Sequence, residues 1–182
     1  ASLDALTQVY SRWFFMDAFF FLLVCCKSTG GSLSLILLDI DHFKQVHDRY
    51  GHLVGDSVLR TVPAVLRQTL RAEAMLGRYG GEEFSILLPG VQQDEAVAAA
   101  ESLRAAAAGA QTPFGDSSVR VTISLGVAAV IFMPGAAQGM DNAKVCDAII
   151  LAADTALYRA KQSGRNRVCH VGLTYGESAC EQ

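Results

Sequence analysis

Residues 80 to 84 read Gly80-Gly81-Glu82-Glu83-Phe84, two glycines and two carboxylates between β-like runs at 75–79 and 84–88. Adjacent glycines between short strands permit a tight hairpin turn with positive φ. They also let a bulky polyanion approach the backbone, while the carboxylates beside them can hold a hard cation on oxygen. A turn offering both N–H groups and carboxylates suits a metal-bound phosphate. Taken alone, an ordinary Gly-Gly hairpin with solvated glutamates is the simpler reading. A second acidic site upstream reverses it.

That site is Leu37-Leu38-Asp39-Ile40-Asp41-His42-Phe43-Lys44. Residues 34–38 are a short apolar run that fits a buried strand ending in an acid. Asp41 falls where a helix N-cap belongs, ahead of Phe43, Val46 and Tyr50 at helical spacing, and is read as a cap rather than a ligand. Asp39 has no such structural task, and the carboxyl edge of a central strand is where open α/β sheets bind ligands. Mg²⁺ takes one or two protein carboxylates and completes its octahedron with water and phosphate oxygens. Asp39 with a hairpin glutamate supplies that need.

In these segments and those that follow, the chain resembles the GGDEF family, the diguanylate cyclases. Asp4-Ala5-Leu6-Thr7 is similar to the family's opening turn and Asp39-Ile40-Asp41-His42-Phe43-Lys44 to its first metal motif. Gly51-His52-Leu53-Val54-Gly55-Asp56 resembles the nucleotide-binding segment, and residues 80–84 the signature itself. Val121-Thr122-Ile123-Ser124-Leu125-Gly126 resembles the later core strand. Ala153-Asp154, Ala156-Leu157-Tyr158, Ala160-Lys161 and Gly164-Arg165-Asn166 resemble the closing helix and its basic end.

The resemblance implies a palm-like sheet shared with nucleotidyl cyclases and polymerases, and a reaction joining two GTP into cyclic di-GMP with release of two pyrophosphates. Each protomer of a homodimer holds one GTP, whose ribose 3′-hydroxyl attacks the α-phosphate of the other. Mg²⁺ or Mn²⁺ must lower the hydroxyl's pKa and absorb charge on the phosphoryl oxygens. Asp39, the backbone carbonyl of Ile40, and Glu82 carry over as metal ligands, and Glu82 or Glu83 as the proton acceptor. Adjacent strand residues face opposite ways, so both glutamates serve one site only because they sit at a turn. Lys161 and Arg165 neutralise the triphosphate, the Gly81 backbone packs against it, and Lys44 assists. Asp56 accepts from the guanine edge, in a pocket lined by Phe43, His47 and His52. The bland account of Lys161 and Arg165 is favourable pairing with a helix C-terminus, which does not exclude phosphate binding.

Three departures stand out. His47-Asp48 replaces the usual Asn-Asp pair. The product-inhibition motif Arg-x-x-Asp appears as Arg71-Ala72-Glu73-Ala74, leaving a degenerate allosteric site at Arg71. Ser11 stands where Asn is usual before Arg12. None touches the metal ligands. A degenerate module that holds GTP or cyclic di-GMP as a receptor is the alternative. Against it, a pure receptor need not keep acids that repel phosphate without metal. A related cyclase acting on one nucleotide, or making a mixed dinucleotide, is a third reading, and Asp56 favours guanine over adenine.

The chain has 182 residues, 51% of them hydrophobic, which fits one domain with a real core. A net charge of −3 gives no field for a nucleic-acid polymer. Basic residues gather instead at Lys161, Arg165 and Arg167. Cys25, Cys26, Cys146, Cys169 and Cys180 form no Cys-x-x-Cys pair and read as reduced thiols of a cytoplasmic domain. A zinc site from His42, His47 and His52 is a weaker alternative to helix-surface and turn roles.

Residues 13–26 are greasy, but shorter than the ~20 residues of a membrane span and interrupted by Asp17, so no span is expected. They read as an amphipathic-to-buried first helix with an apolar face available to a partner. No charged n-region precedes them, so no signal peptide is expected. The chain opens without Met at the domain's opening turn, as expected of a catalytic domain excised from a longer signalling protein whose sensory or membrane part lies outside this sequence. Helices are expected at 53–70 (kinked by Pro63), 92–108 and 144–163, the last with Gly164 as C-cap. A loop is expected at 109–118, a long strand or strand pair at 119–130, a glycine-rich loop at 134–141, and a last strand at 167–171. The alternation gives an α/β fold, a central mixed sheet flanked by helices.

Overall fold

The computed structural model describes residues 1–176; Cys180 lies outside them. In chain order the elements are α1 (Arg12–Thr29), β1 (Gly31–Ile40), α2 (Phe43–Tyr50), α3 (His52–Thr69), β2 (Met75–Arg78), β3 (Glu83–Pro89), α4 (Gln93–Gly109), β4 (Thr112–Phe114), β5 (Ser117–Val119), β6 (Ile123–Phe132), α5 (Asn142–Gln162) and β7 (Val168–Tyr175). β1 is buried at every position but its first and lies at the centre of a sheet ordered β2-β3-β1-β6-β7. Its neighbours β3 and β6 run antiparallel to it, while β7 runs parallel to β6. The sheet is therefore mixed.

Strand alternation divides the core in two. Ile36, Leu38 and Ile40 of β1 join Phe84, Ile86 and Leu88 of β3 under α2, α3 and α4. Leu33, Leu35 and Leu37 pack with Leu87 on the other face, under α1 and α5. On α1 the buried residues recur every fourth position, at Phe15, Phe19, Leu23 and Lys27. Lys27 is held there by the Met140 carbonyl at 2.8 Å and by the Asn142 side chain. The opposite side of α1 leaves Trp13, Phe20, Phe21 and Val24 exposed. Among the described residues no helix is long and apolar enough to cross a membrane.

Several local expectations change. The segment 109–118 is not a plain loop, because Thr112, Pro113 and Phe114 pair with Val119, Ser118 and Ser117. The turn signal is Gly115-Asp116, with Gly115 at φ 57°. α3 continues through Pro63. α5 ends with Ser163 as its C-cap, so Gly164 stands one residue later, at φ 121°. Cys25, Cys26, Cys146 and Cys169 are free thiols, as their spacing implied.

Candidate active site

Alternation along β1 also decides where Asp39 points. As an odd-numbered residue it shares the face of Leu35 and Leu37, beneath α5, and its direct cross-strand partner is Glu83. α5 can lie close there because of Gly126 of β6: a Cβ on Gly126 would meet the Ala153 carbonyl oxygen at 2.1 Å and the Leu157 nitrogen at 2.3 Å. One turn beyond Leu157 comes Lys161, a rise of ~6 Å along the helix, and two residues beyond Leu37 comes Asp39, ~6.6 Å along the strand. The two advances match, and Lys161 Nζ meets Asp39 Oδ2 in an ion pair.

Asp39 is only 8% exposed, and its second oxygen, Oδ1, is buried with no hydrogen-bond partner. Burial pushes the carboxyl above its ordinary value; the Lys161 ammonium pulls against it, and the nearby charges of Glu82 and Glu83 push the same way as burial. The backbone ties the acids together, since the Ile40 N–H donates to the Glu82 carbonyl at 3.2 Å. Glu82 and Glu83 are themselves half-buried.

The Gly80-Gly81 turn is built differently from the expected positive-φ hairpin, because neither glycine adopts a positive φ. The Tyr79 and Gly80 N–H groups both donate to the Glu83 carbonyl, at 2.8 and 3.1 Å. At Gly80 the constraint is space: a Cβ there would lie 2.7 Å from Glu83 Oε2. Two arginines, neither singled out by the sequence pattern, hold the outward carbonyls. Arg12 donates to Tyr79 O at 3.1 Å and lies over the Tyr79 ring at 4.3 Å. Arg78 donates to Gly80 O at 3.2 Å and Gly81 O at 2.8 Å, and its third donor group grips Asp4 of the opening turn at 3.1 Å.

Asp41 is not a helix cap. The N-cap of α2 is His42, in the left-handed region at φ 56° with no side-chain cap hydrogen bond. The Asp41 carboxylate turns away and accepts from the Thr122 and Ser124 hydroxyls, each at 2.6 Å, and from the Asn166 N–H at 3.0 Å. Its commitment to distant partners is why the helix goes without a carboxylate cap.

The residues expected around the base start two adjoining helices. Phe43 is buried at the start of α2, with Lys44 exposed beside it. The His47 ring lies 4.6 Å from that of Phe43 and 4.5 Å from that of His52. Its Nε2 is buried without a partner, turned onto Gly55 of α3, where a Cβ would come within 2.2 Å of it. Asp56 follows Gly55 and is half-buried. Arg165 is exposed after α5, at φ 62°. Arg71 belongs to a different region, paired with Glu95 of α4 at 2.6 Å. Among the described residues no three His, Cys, Asp or Glu side chains gather as a metal cluster, so His42, His47 and His52 do not form one.

A family model described as diguanylate cyclase, GGDEF domain, matches residues 1–167. Diguanylate cyclase DgcP of Pseudomonas aeruginosa is 40% identical over 139 residues, 76% of this chain and 19% of its own length. Diguanylate cyclase A of Treponema denticola is 34% identical over 168 residues, 91% of this chain and 43% of its own. The chain thus spans less than half the length of these relatives. Among solved structures, diguanylate cyclase SiaD of Pseudomonas aeruginosa, in complex with its activator SiaC, aligns with a TM-score of 0.83 at 30% identity, over 94% of this chain and 62% of that one. The GGDEF domain of DgcB from Caulobacter crescentus, in complex with c-di-GMP, aligns with a TM-score of 0.81 at 29% identity, over 93% and 92%. With the signature turn, the acidic strand edge and the surrounding sheet all matched, the chain belongs to the GGDEF family of diguanylate cyclase domains.

Proposed function

We propose that this chain is an active diguanylate cyclase, a single catalytic domain that joins two GTP molecules into cyclic di-GMP and releases two pyrophosphates. The observation that carries the reading is Asp39: a buried carboxylate with one oxygen on Lys161 and the other unpartnered, beside Glu83 and the Glu82 backbone. A module retained only to bind a polyanion has no use for a buried acid flanked by two more.

A divalent cation fits these residues. The orphaned Oδ1 of Asp39 and a neighbouring glutamate are the one or two carboxylates Mg²⁺ takes, and the Ile40 carbonyl is a further hard oxygen donor. Mg²⁺ or Mn²⁺, if bound there, would offset charge on the developing phosphoryl oxygens and lower the pKa of the attacking hydroxyl. Asp39, the Ile40 carbonyl and Glu82 are the groups that would hold it. Glu83 or Glu82 takes the proton from the ribose 3′-hydroxyl. Lys161, drawn off Asp39 by the incoming nucleotide, neutralises the triphosphate together with Arg165, and Lys44 assists from α2. The Gly81 backbone packs against the phosphates, its carbonyl already engaged by Arg78. Asp56 accepts from guanine N1–H and the 2-amino group, with Phe43, His47 and His52 around the base.

Each protomer supplies half of the reacting pair, so two copies must face each other. Incubating the purified chain with GTP and Mg²⁺, and identifying products by mass, tests the reading. Cyclic di-GMP and pyrophosphate are expected, with activity per protomer rising with protein concentration. GTP binding without pyrophosphate release would instead favour the receptor.

A further inference from the structure

Asp41 is 5% exposed and lies one residue past the end of β1, yet its carboxylate serves neither α2 nor the acidic cluster at Asp39. Oδ2 accepts from the Thr122 hydroxyl and from the backbone N–H of Asn166; Oδ1 accepts from the Ser124 hydroxyl. Its own N–H donates to the Thr122 carbonyl at 2.9 Å. One buried side chain therefore joins the end of β1, the start of β6 and the turn that follows α5.

That turn is in an unfavourable conformation. Gly164 has φ 121°, and Arg165 and Asn166 follow at 62° and 46°. Two successive side-chain-bearing residues in the left-handed region need outside support, and a long arginine gains none from its own side chain. Among the described residues its supports include the Arg165 N–H on the Ala160 carbonyl at 3.0 Å, Arg167 Nε on the Arg165 carbonyl at 3.0 Å, Arg104 on the Asn166 side chain at 3.0 Å, and Asp41 on the Asn166 N–H. Of these the Asp41 contact alone comes from a buried side chain, one that is bonded as well to Thr122 and to Ser124 of β6.

We infer that Asp41 is a positioning residue for the phosphate-binding arm, holding the left-handed backbone from which Arg165 reaches the triphosphate. The role rests on the reading above, in which Arg165 meets that group. It depends on hydrogen bonds accepted and not on metal contact or charge, which separates it from Asp39 two residues earlier.

Asp41→Asn and Asp41→Ala distinguish the two. Asparagine can accept from Thr122 and Asn166 with its oxygen and donate to the Ser124 hydroxyl with its amide, whereas alanine keeps none of the three bonds. Asp41→Ala is expected to weaken GTP binding roughly tenfold, and Asp41→Asn to restore it to within about twofold of wild type. In an Arg165→Ala background, Asp41→Ala should add nothing. A tenfold loss in Asp41→Asn, or additive losses in the double variant, overturns the role. Should Asp41→Ala fail to fold, the Asn166 amide decides: in wild type and Asp41→Asn it should exchange with deuterium at least about a hundredfold slower than an unprotected amide. Unprotected exchange overturns the clamp. A folded wild type that binds no GTP defeats the reading of the site, a result distinct from any of these.

Discussion

Lys161 and Asp39 meet across the sheet face from α5 and β1, yet the pair uses only one oxygen of the carboxylate, leaving Oδ1 buried and unpartnered. Burial raises the Asp39 pKa; Lys161 pulls it down, and Glu82 and Glu83 add to the rise. A folded-state pKa raised above the ordinary 3.8 means stability is fully present below that value. It is lost as pH rises through the raised one. Asp39→Asn escapes this loss and frees Lys161, itself partly solvated, to return to water. The variant should be inactive yet melt higher than wild type near neutral pH, with the difference closing on acidification. Thermal melts between about pH 3 and pH 8 check this. Parallel curves would mean that the ionised acid is no burden to the fold.

Gly55 and His47 give a second test, in which the sign of an effect reverses. A methyl group on Gly55 would lie 2.1 Å from His47 Cδ2, and Phe43 and His52 box the ring in. Gly55→Ala should therefore destabilise by ~1–3 kcal/mol through overpacking. In a His47→Ala background the clash is gone, and the same change should stabilise by ~0.5–1 kcal/mol because alanine replaces glycine inside a helix. Denaturant midpoints of the four proteins decide it. A Gly55→Ala effect independent of residue 47 would mean that the imidazole yields freely.

The contrast between Asp39 and Asp41 shows what the chain makes legible. Asp39 was readable because strand alternation and a strand end are local patterns, and the structure keeps it at the edge of the central strand beside Glu83. Asp41 was misread because a helix-cap pattern is equally local, whereas its partners Thr122, Ser124 and Asn166 lie 81, 83 and 125 residues away. The Gly-Gly pair suggested positive φ, but its turn is set by two guanidinium groups and by crowding against Glu83, neither of which a dipeptide reports. Gly126 did carry a usable signal: a glycine inside an apolar strand marks close backbone approach. Gly115-Asp116 likewise marked the hairpin missed at 109–118.

Arg71 yields a prediction about regulation. The resemblance places an acid at residue 74 to share a guanine of the product with Arg71, but Ala74 stands there. Arg71 is occupied by Glu95, so a ligand must first displace that carboxylate. Cyclic di-GMP should therefore inhibit only by competing with GTP, equally in wild type and Arg71→Ala. Inhibition that persists at saturating GTP and vanishes in Arg71→Ala would show a working allosteric site.

The opening turn acts on the signature through one arginine. Asp4 accepts from the Thr7 N–H at 2.9 Å and hydroxyl at 2.7 Å, and from Arg78, whose other nitrogens hold Gly80 O and Gly81 O. Burial works against ionisation of Asp4, but the Thr7 hydrogen bonds and the Arg78 charge outweigh it and keep its pKa below 3.8. A depressed folded pKa stabilises above the ordinary value, and that stability is lost as pH falls through the folded one. Asp4→Asn should cost about 1–3 kcal/mol near neutral pH, with the gap to wild type closing in acid. Arg78, no longer anchored, should let the Gly80-Gly81 turn drift, so turnover measured well below both melting temperatures should fall roughly ten- to a hundredfold. Arg78→Lys should reproduce the loss, since an ammonium cannot fork between two carbonyls and a carboxylate. A variant that melts lower but turns over at the wild-type rate in the cold would confine Asp4 to holding the fold.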